Sequence, residues 1–517
     1  MSEQLALLPG YLLAHLQLSL LALGTGALVS IPLGVFVVRH PRLEGPVLGF
    51  AAVAQTVPSL ALLALMVPLL AALGVWTAAV LGVELHSIGF LPAWLALSLY
   101  SVLPMLRNTV TGIAGVDAAL VEAARGVGMT DRQRLLRVEL PLALPVIVAG
   151  VRTATVWVVG TATLATPVGA TSLGNFIFSG LQTRNFGAVV LGSVASAVLA
   201  LGLDGLVRTL ERGLAMRRRR LWGGALAGLV ALYVLVVASL IDASGGAERS
   251  ISIGSKSFTE QYVLAALLAQ TVEQAGGPAV RRVESLGSTV AFDALRTDEL
   301  DLYVDYSGTI WATILGRSGS PGDRASVLAE VRTRLAEDYG IAVVARLGFE
   351  NSYAIAMRDD RAAELGIESL GELAQKAPGL SIGGDYEFFV RAEWKALESR
   401  YQLRFAEQRS MDPALMYSAV EQREVDAISA FSTDGRIAAL GLRVLRDELQ
   451  VIPPYDAIVL ASPRFQREWP ALLAAVAALE GRIDAAAMQR MNGAVDRGGE
   501  LPTAVAARFR AEWSADP

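Results

Sequence analysis

The sequence predicts two domains of different fold class. An all-α transmembrane domain of about five helices with a sixth tether helix is followed by an extracytoplasmic α/β domain with two lobes. The 517 residues are 53% hydrophobic and only 18% charged, whereas soluble domains carry about 25% charged residues. Up to Ala247 the chain has 15 arginines, no lysine and 10 acidic residues; beyond it there are 29 basic and 39 acidic residues. The periodicity also changes there, from long apolar runs to short β-like runs between helical ones.

Long uncharged runs define the membrane helices. Tyr11 to Val38 holds no charge over 28 residues, which exceeds the roughly 20 apolar residues needed to cross a bilayer. Pro58 and Pro68 interrupt the next run and are expected to kink or break it. The same criterion predicts spans near 12–38, 46–73, 88–106, 141–165, 186–206 and 221–241.

The arginines orient these helices, because cytoplasmic loops carry an excess of basic residues. The connections after the first, third and fifth spans are basic, and the others hold only Glu84 and Arg184. The basic loops contain Arg39 and Arg42, then Arg125, Arg132, Arg134 and Arg137, then Arg208, Arg212 and Arg217 to Arg220. This alternation places the N-terminus and everything after Ile241 outside the cytoplasm. We therefore expect a multi-pass protein of the cytoplasmic (inner) membrane, embedded in lipid.

The arginine run 217–220, followed by 21 apolar residues and small residues, also resembles a secretory signal peptide. Cleavage there would release the second half of the chain. The apolar region of a signal peptide spans about 7–15 residues, whereas 221–241 is long enough to cross the membrane, which favours an uncleaved tether. The expected domains are a membrane domain over 1–215, a basic stop and tether helix over 216–247, and an outer domain over 248–517.

The connection between the third and fourth spans, residues 117–141, has the pattern of a helix, a glycine stop and a second helix. Good helix formers begin at Ala118, and Gly128 favours a chain reversal. Thr130 is expected to cap the second helix. The alanines beside Glu122 leave a low surface on which another protein can pack closely. Composition alone equally permits an ordinary solvated loop.

The spacing in this loop resembles the signature of importer-type ABC transporter permeases: Glu-Ala-Ala, three residues, Gly, nine residues, then aliphatic-X-Leu-Pro. The matching positions are Glu122, Ala123, Ala124, Gly128, Val138, Leu140 and Pro141. Val138, where isoleucine is usual, is the departure. In that family the segment is a coupling helix seated in a groove of the ATPase subunit. Runs 55–65 and 106–112 look like permeases for compatible solutes such as glycine betaine, carnitine and choline, and the resemblance covers about residues 10–215.

Nucleotide chemistry is expected on another subunit. A phosphate-binding loop reads Gly-X4-Gly-Lys-Ser/Thr, so that backbone amides hold the phosphates, and the sequence contains no such run. The resemblance implies a cytoplasmic ABC ATPase as partner, with ATP and Mg bound there and no cofactor in this chain. Since one permease has one coupling helix, it also implies a homodimer of this chain on two ATPases.

From Arg249 onward, short β-like runs separated by helical ones predict an α/β domain with mostly parallel sheets. The predicted strands are 251–253, 300–304, 341–345, 353–357, 380–382, 426–429 and 457–460. About 270 residues are too many for one sheet, so we expect two lobes with a cleft between them. The chain is expected to cross between the lobes near 347–353 and near 451–456.

Aromatic residues beside turn signals are the candidate ligand-binding groups of this domain. They are Phe258, Tyr303, Tyr306, Tyr353, Phe431 and Tyr455. A quaternary ammonium group has no hydrogen to donate, so proteins bind it with the π faces of several rings. Any single ring is more simply explained as part of a core, where aromatic residues are common.

Two helix starts offer backbone amides for a carboxylate. Ser257 to Glu260 has the pattern of a capping box, and Gly287-Ser288-Thr289 precedes another helix. Capping of their own helices explains both patterns without a ligand. Gln261, Ser288 and Thr289 are our candidates for the carboxylate. Lys256 is a candidate for an added positive charge there, although a lysine at a helix start is more often solvated.

The surroundings of these rings resemble the solute-binding proteins of the same transporter family, over nearly all of 250–517. The matching runs are Gly254 to Gln261, Asp305 to Thr309, Asn351 to Ala354, Phe431 to Arg436 and Pro453 to Asp456. The resemblance implies a type II periplasmic-binding-protein-like fold and a cage built by the tyrosines of the last four runs. Phe431 stands where betaine binders commonly have tyrosine, which keeps the π face and loses a hydroxyl. A related branch with the same domain order resembles importers of ergothioneine, a trimethylated histidine betaine.

The resulting interpretation is a permease plus substrate-binding subunit of an ATP-driven ABC importer. Its expected ligand is a small quaternary ammonium zwitterion or cation such as glycine betaine, choline or carnitine, taken up as an osmoprotectant. The substrate-binding candidates are Phe258, Gln261, Ser288, Thr289, Tyr306, Tyr353, Phe431 and Tyr455, and the ATPase-coupling candidates are Glu122, Ala123, Ala124, Gly128 and Pro141. The alternatives are an ergothioneine importer of the same architecture and a membrane-anchored solute sensor without transport.

Composition disfavours several other functions. The absence of cysteine excludes disulfides, thiolate zinc sites and thiol nucleophiles. The three histidines, His15, His40 and His86, do not pair at metal-ligand spacing, so no metal site is expected. No nucleophile has a partner base, so we expect no catalytic residue. The net charge of −5 argues against nucleic acid as a partner.

Overall fold

The structure is a computed structural model of the chain that describes residues 2–81, 85–183, 185–245, 250–317, 323–385 and 387–515. These residues form two compact units, which are described separately. The helical unit holds the residues up to Gly245, except that Phe178–Phe186 groups with the second unit, which otherwise holds the residues from 250 onward. The expected boundary at 247/248 and the loop residues Glu84 and Arg184 lie outside the described residues.

The helical unit consists of α-helices with short connections. They are α1 (Ser2–Arg39), α2 (Pro41–Thr56), α3 (Ser59–Leu81), α4 (Phe90–Ala114), α5 (Ala118–Gly126), α6 (Asp131–Arg134), α7 (Leu140–Ala162), α8 (Gly174–Gln182), α9 (Phe186–Ala215) and α10 (Arg219–Gly245). Within the described residues, five stretches are long and apolar enough to cross a membrane: Gln4–Arg39, Phe90–Ala114, Asp131–Val168, Phe186–Ala215 and Arg219–Ile241. Five of the six predicted spans are thereby confirmed.

The span predicted over 46–73 is not one straight helix. Helices α2 and α3 meet at an angle of 99° and count as one span only if the bent pair is taken together. The bend lies at Pro58, and Val57 before it is extended, with φ −65° and ψ 127°, as the ring of a following proline requires. Pro68 was the other expected break, but it lies inside α3.

Small residues allow α1, α4 and α7 to pack closely. A Cβ atom built on Gly26 of α1 would lie 1.7 Å from the Ser101 side chain of α4, and one on Gly34 would lie 2.6 Å from Thr109. On α7, a Cβ at Gly150 would lie 2.6 Å from that of Asn108. In lipid there is no hydrophobic driving force between helices. Helix association therefore depends largely on van der Waals packing, which small residues improve by allowing the backbones to approach closely.

The second unit alternates strands and helices. Its strands are β1 (Ile251–Lys256), β2 (Val280–Leu286), β3 (Leu302–Tyr306), β4 (Ala342–Glu350), β5 (Tyr353–Arg358), β6 (Ser381–Gly384), β7 (Glu407–Ser410), β8 (Ala427–Phe431), β9 (Leu442–Val444) and β10 (Asp456–Ala461). Its helices are α11 (Thr259–Gln274), α12 (Ser288–Arg296), α13 (Ser307–Thr309), α14 (Arg324–Tyr339), α15 (Asp359–Leu365), α16 (Leu370–Lys376), α17 (Ala392–Tyr401), α18 (Pro413–Glu421), α19 (Arg436–Ala439), α20 (Pro463–Glu468), α21 (Pro470–Ala477), α22 (Ala485–Asp496) and α23 (Pro502–Ala515). All seven predicted strands are present, whereas β2, β7 and β9 were not predicted; of these, β7 is fully exposed.

The strands form two five-stranded sheets with the orders β2-β1-β3-β10-β4 and β7-β6-β8-β5-β9. Four of the five strands in each sheet run in the same direction, which agrees with the expectation of mostly parallel sheets, and one strand in each sheet is reversed. In the first sheet β10 is antiparallel to both of its neighbours, and in the second sheet β5 is antiparallel to both of its neighbours. Strand β5 is where the chain enters the second sheet, and β10 is where it returns to the first. Both strands therefore run opposite to the strands of their sheet that are joined by βαβ connections.

The two predicted crossovers are confirmed. The chain leaves the first sheet after β4 and enters the second at β5, and it returns between β9 and β10. We call the part built on the first sheet lobe 1 and the part built on the second sheet lobe 2. A cleft lies between the lobes, where several strand ends meet: the carboxyl ends of β1, β3 and β8 and the beginnings of β5 and β10. Residues next to these strand ends therefore line one cleft.

Candidate functional site

Five aromatic side chains predicted from the sequence form a continuous row in this cleft. The ring centroids of Tyr306 and Phe258 are 6.2 Å apart, and those of Phe258 and Phe431 are 5.7 Å apart with planes 4° from parallel. Tyr353 follows at 5.0 Å from Phe431, and Tyr455 at 6.1 Å from Tyr353. The row presents several π faces to one region, which is the arrangement that binds quaternary ammonium groups.

The ends of strands position these rings. Tyr306 ends β3 and Phe431 ends β8, and Tyr353 pairs with Phe431 at the beginning of β5. Phe258 is the residue before α11 and has an extended backbone, with no side-chain cap on that helix. The capping box predicted over Ser257 to Glu260 is therefore wrong, because the helix begins one residue later than the pattern requires.

Two tyrosine hydroxyls in the row are anchored by carboxylates. The hydroxyl of Tyr306 donates to Oε1 of Glu260 at 2.5 Å and accepts from the Gln261 side chain at 3.1 Å. The hydroxyl of Tyr455 donates to Glu393. Burial, and then the neighbouring carboxylate, raise the pKa of Tyr306 and of Tyr455 well above the usual value. Both hydroxyls thus remain protonated donors, and the two rings are held in fixed orientations.

Glu260, which is 2% exposed, connects the two lobes at the base of the cleft. Its carboxylate accepts from Thr433 of lobe 2 at 2.5 Å, and from Asn351 at 2.9 Å and Asn492 at 3.2 Å. Burial raises the pKa of Glu260, and these hydrogen bonds oppose the rise. A second bond between the lobes joins Arg391 to the Thr313 hydroxyl at 3.3 Å. The cleft is therefore closed in this structure.

Two buried cations border the row of rings. Lys256 is 5% exposed, pairs with Asp305 at 2.5 Å, and has its Nζ 5.5 Å from the ring centroid of Tyr306. It is not solvated, which corrects the expectation from the sequence. Arg391 is 9% exposed and lies 5.1 Å over the Tyr353 ring.

Arg391 was not predicted as a site residue, and neither were its neighbours. Glu393 pairs with Arg391 at 3.4 Å and is 3% exposed. Phe388 extends the row of rings, with its centroid 5.2 Å from that of Tyr353. Burial raises the pKa of Asp385, at the end of β6, against hydrogen bonds from the backbone of the turn that follows. The signal available in the sequence was a run of aromatic and charged residues after the paired glycines that follow the predicted strand 380–382.

The remaining predicted residues lie elsewhere or serve the row indirectly. Gln261 is buried and bonds to Tyr306 and to the backbone of Lys256. Ser288 and Thr289 begin α12 beyond the edge strand β2, and Thr289 is exposed. In the part of the chain that the structure describes, no ring contact or hydrogen bond joins either of them to the row. Tyr303 is fully buried and donates to Asp305 at 2.7 Å instead of facing the rings.

The loop between α4 and α7 has the predicted helix, reversal and second helix. Asp117 caps α5 by accepting from the Ala119 amide, and Gly128 has a φ of +79°. Thr130 and Gln133 form a reciprocal capping box on α6. Because Gly128 occupies the left-handed region, a residue with a side chain there would be strained.

This loop presents an open apolar groove. Glu122 and Ala123 are exposed and Ala124 is buried. A depression of about 450 Å³ is lined by Ala123, Ala124, Val127, Met129, Val138 and Pro141, among others. Aliphatic side chains in this lining are exposed, among them Val127 at 75% and Leu120 at 47%.

The chain combines a two-lobed domain whose cleft is lined by aromatic rings with a membrane domain that contains a two-helix loop. This combination defines the class: a transport subunit that captures a small solute outside the membrane. Residues 249–512 match the family of the substrate binding domain of ABC-type glycine betaine transport systems. Residues 26–216 match the family of binding-protein-dependent transport system inner membrane components.

Individual proteins are similar over one or both domains. The chain is 29% identical over 492 residues to the ergothioneine transport permease/ergothioneine binding protein EgtU of Helicobacter pylori strain G27, covering 92% of this chain and 85% of that protein. It is 42% identical over 198 residues to the glycine betaine/carnitine/choline transport system permease protein OpuCB of Bacillus subtilis strain 168, covering 38% of this chain and 84% of that protein. A crystal structure of a glycine betaine/carnitine/choline ABC transporter matches at 27% identity and a TM-score of 0.45, covering 51% of this chain and 98% of that chain.

The chain belongs to the family of ABC-type glycine betaine transport systems, as a permease fused to its own substrate-binding domain. It is a multi-pass protein of the inner membrane whose binding domain lies outside the cytoplasm. Its permease architecture implies an ATPase partner.

Proposed function

We propose that this chain imports a small zwitterion with a quaternary ammonium group, such as glycine betaine or carnitine, as an osmoprotectant. The observation that carries the proposal is the row of five rings from both lobes, with a buried arginine over Tyr353 and a buried lysine beside Tyr306. The cation takes the π faces, and the carboxylate pairs with the buried guanidinium of Arg391. Choline, which has the cation and no carboxylate, is bound by the rings alone.

Ligand entry requires that the lobes separate. Phe258 belongs to lobe 1 and Phe431 to lobe 2, and their rings stack directly on each other. A trimethylammonium group cannot enter between rings whose centroids are 5.7 Å apart. Opening breaks the bonds from Glu260 to Thr433 and from Arg391 to Thr313, and a ligand that bridges the rings and Arg391 favours reclosure around itself.

ATP binding and hydrolysis take place on a separate cytoplasmic ATPase, which holds ATP and Mg and docks in the groove beside Ala123 and Ala124. The exposed apolar side chains of that groove support this assignment. With one coupling loop per chain, a homodimer engages two ATPases. The domain boundaries that we propose are 1–215 for the permease, 216–247 for the tether helix and 248–517 for the binding domain.

An ergothioneine importer of the same architecture is the second candidate. It is favoured by the similarity to a relative named for ergothioneine transport that extends over both domains. Ergothioneine carries the same trimethylammonium and carboxylate groups, so the rings and Arg391 suit both ligands. Its additional ring needs a further apolar wall, for which Phe388 beside Tyr353 is a candidate.

Calorimetry on the purified full-length chain tests the proposal directly. We expect saturable binding of at least one of glycine betaine, carnitine, choline and ergothioneine, and the ranking of affinities distinguishes the two candidates. Reconstitution with its ATPase is expected to give ligand-stimulated ATP hydrolysis and ligand uptake. A chain that binds none of the four ligands contradicts the proposal, and binding without uptake supports a sensor instead.

Replacing Arg391 by glutamine distinguishes the contribution of the ligand's carboxylate to binding from that of its quaternary ammonium group. Because hydrogen bonds to charged groups contribute about 1.5–3 kcal/mol, the affinity for a betaine is expected to fall about 10- to 100-fold. Choline has no carboxylate, and loss of Arg391 removes the positive charge that pairs with Glu393, so choline affinity is expected to stay the same or rise. Calorimetry with both ligands measures the difference.

Arg423 provides a matched control, since it lies in the same lobe, is 73% exposed and pairs only with Asp360 among the ion pairs of the described residues. Arg423→Gln is expected to leave both affinities unchanged. Equal losses for betaine and choline in Arg391→Gln would indicate that Arg391 supports the fold of the cleft and does not bind the carboxylate.

A further inference from the structure

Glu139 forms a buried ionic link between the coupling loop and the first membrane helix. Its Oε2 accepts from Arg39, the last residue of α1, at 3.0 Å, and its Oε1 accepts from Arg134 of α6 at 2.7 Å. Glu139 and Arg134 are each 7% exposed. Arg134 also pairs with Asp131 at 2.9 Å, which fixes it to the beginning of its own helix.

The local backbone is shaped around this link. Glu139 ends a π-helical turn, Leu135–Glu139, that separates α6 from α7. Single π-helical turns of this kind are rare and are frequently found at functional sites. Before the turn lies α6, which begins with the Thr130 capping box, and after it Leu140-Pro141 begin α7. Glu139 thus lies where the loop that meets the partner becomes the membrane helix.

We propose that Glu139 is a positioning residue that transmits movement of the coupling loop to the first membrane helix through Arg39. The inference rests on the proposed function, in which an ATPase docks on this loop. When the docked loop shifts, α7 follows through the continuous backbone. The end of α1 is 100 residues away in sequence and follows through the carboxylate of Glu139. Without that contact, apolar packing of Val35 and Val38 on the beginning of α7 still holds α1, but its last residue loses the ionic contact to the loop, so we expect the end of α1 to follow the loop less tightly.

Variants of Glu139 and its partner Arg39 distinguish transmission of movement from a role in stability alone. Removing Glu139 leaves two arginines without their partner, so Glu139→Gln affects both the shape of the loop and the link. Replacing Arg39 by methionine is more selective, because the Glu139–Arg134 pair remains and only the link to α1 is cut. The Arg39 side chain is 28% exposed, so its removal leaves little buried surface uncovered.

The experiment uses the full chain reconstituted with its ATPase in lipid vesicles. It measures ligand taken up, ATP hydrolysed and ATPase bound for wild type, Arg39→Met, Arg39→Lys and Arg42→Met. For Arg39→Met, we expect uptake per ATP to fall about tenfold, the size of a typical coupling between two sites, with ATPase binding and ligand affinity unchanged. Arg39→Lys keeps the charge and is expected to recover most of the coupling. Arg42 is exposed one turn further along, and Arg42→Met is expected to behave as wild type.

Normal uptake per ATP in Arg39→Met overturns the inference, because the link is then not needed for transmission. Parallel loss of ATPase binding also overturns it, since the residue would then belong to the docking surface. A wild-type complex that hydrolyses ATP without uptake contradicts the proposed function and this inference with it. Failure of the variant alone is therefore distinguishable from failure of the importer.

Discussion

Replacing Tyr306 and Tyr455 together by alanine is expected to abolish measurable binding of quaternary ammonium ligands. Each contact between one of these rings and a desolvated cation contributes about 0.5–2 kcal/mol. Their joint loss therefore lowers affinity up to about 1,000-fold. Calorimetry of the purified full-length variant with glycine betaine and choline measures this loss.

Phenylalanine at either position distinguishes the ring from the hydroxyl. Tyr306→Phe keeps the π face and removes the bond to Glu260, so affinity is expected to fall by less than about tenfold, the value of a typical net hydrogen bond. Tyr339, which packs edge-on against Phe292 away from the cleft, is a control whose alanine variant should bind normally. Unaltered affinity in the Tyr306→Ala and Tyr455→Ala double variant would contradict the ring cage.

Replacing Arg152 by methionine is expected to prevent accumulation of folded protein. Arg152 of α7 pairs with Asp204 of α9 at 2.7 Å and with Glu211, two turns further along α9, at 3.4 Å. Without the arginine, Asp204 remains an unpaired carboxylate within a membrane helix, where such a charge costs about 2.5–3.5 kcal/mol or more, and Glu211 loses its partner as well. The yield of monodisperse protein in detergent and its thermal unfolding temperature are the measurements.

Neutralising the two acids tests this explanation. Adding Asp204→Asn and Glu211→Gln to Arg152→Met removes the unpaired charges and is expected to restore most of the yield. Arg208 is on the same helix, α9, and is exposed, so Arg208→Met serves as a control with normal yield. If Arg152→Met matches that control, the ionic cluster does not hold α7 against α9.

Fusion of the binding domain to the permease lowers the affinity that the two domains need for docking to each other. A tethered domain meets its own permease at an effective concentration in the millimolar range. Weak docking is then sufficient, and affinity in the cleft can be optimised for the ligand alone. A free binding protein must instead find its permease by diffusion.

Linear patterns in the sequence identify the membrane spans, their orientation, the coupling loop and the two crossovers. Each of these depends on neighbouring residues, through the length of an apolar run, the excess of arginine in alternate loops or the spacing of a short motif. The aromatic residues of the cleft were found for a similar reason, because each lies beside a turn at a strand end. The identity and orientation of these elements therefore follow from local physical chemistry.

Only the tertiary structure decides which buried charges face those elements. Arg391 reaches the Tyr353 ring, Lys256 pairs with Asp305, and Glu139 joins Arg39 across distances in sequence that no local periodicity encodes. The reversed direction of β5 and β10 likewise follows from the return of the chain between lobes. A charge is buried only where a distant partner and the surrounding packing offset its desolvation, so its role depends on the assembled fold.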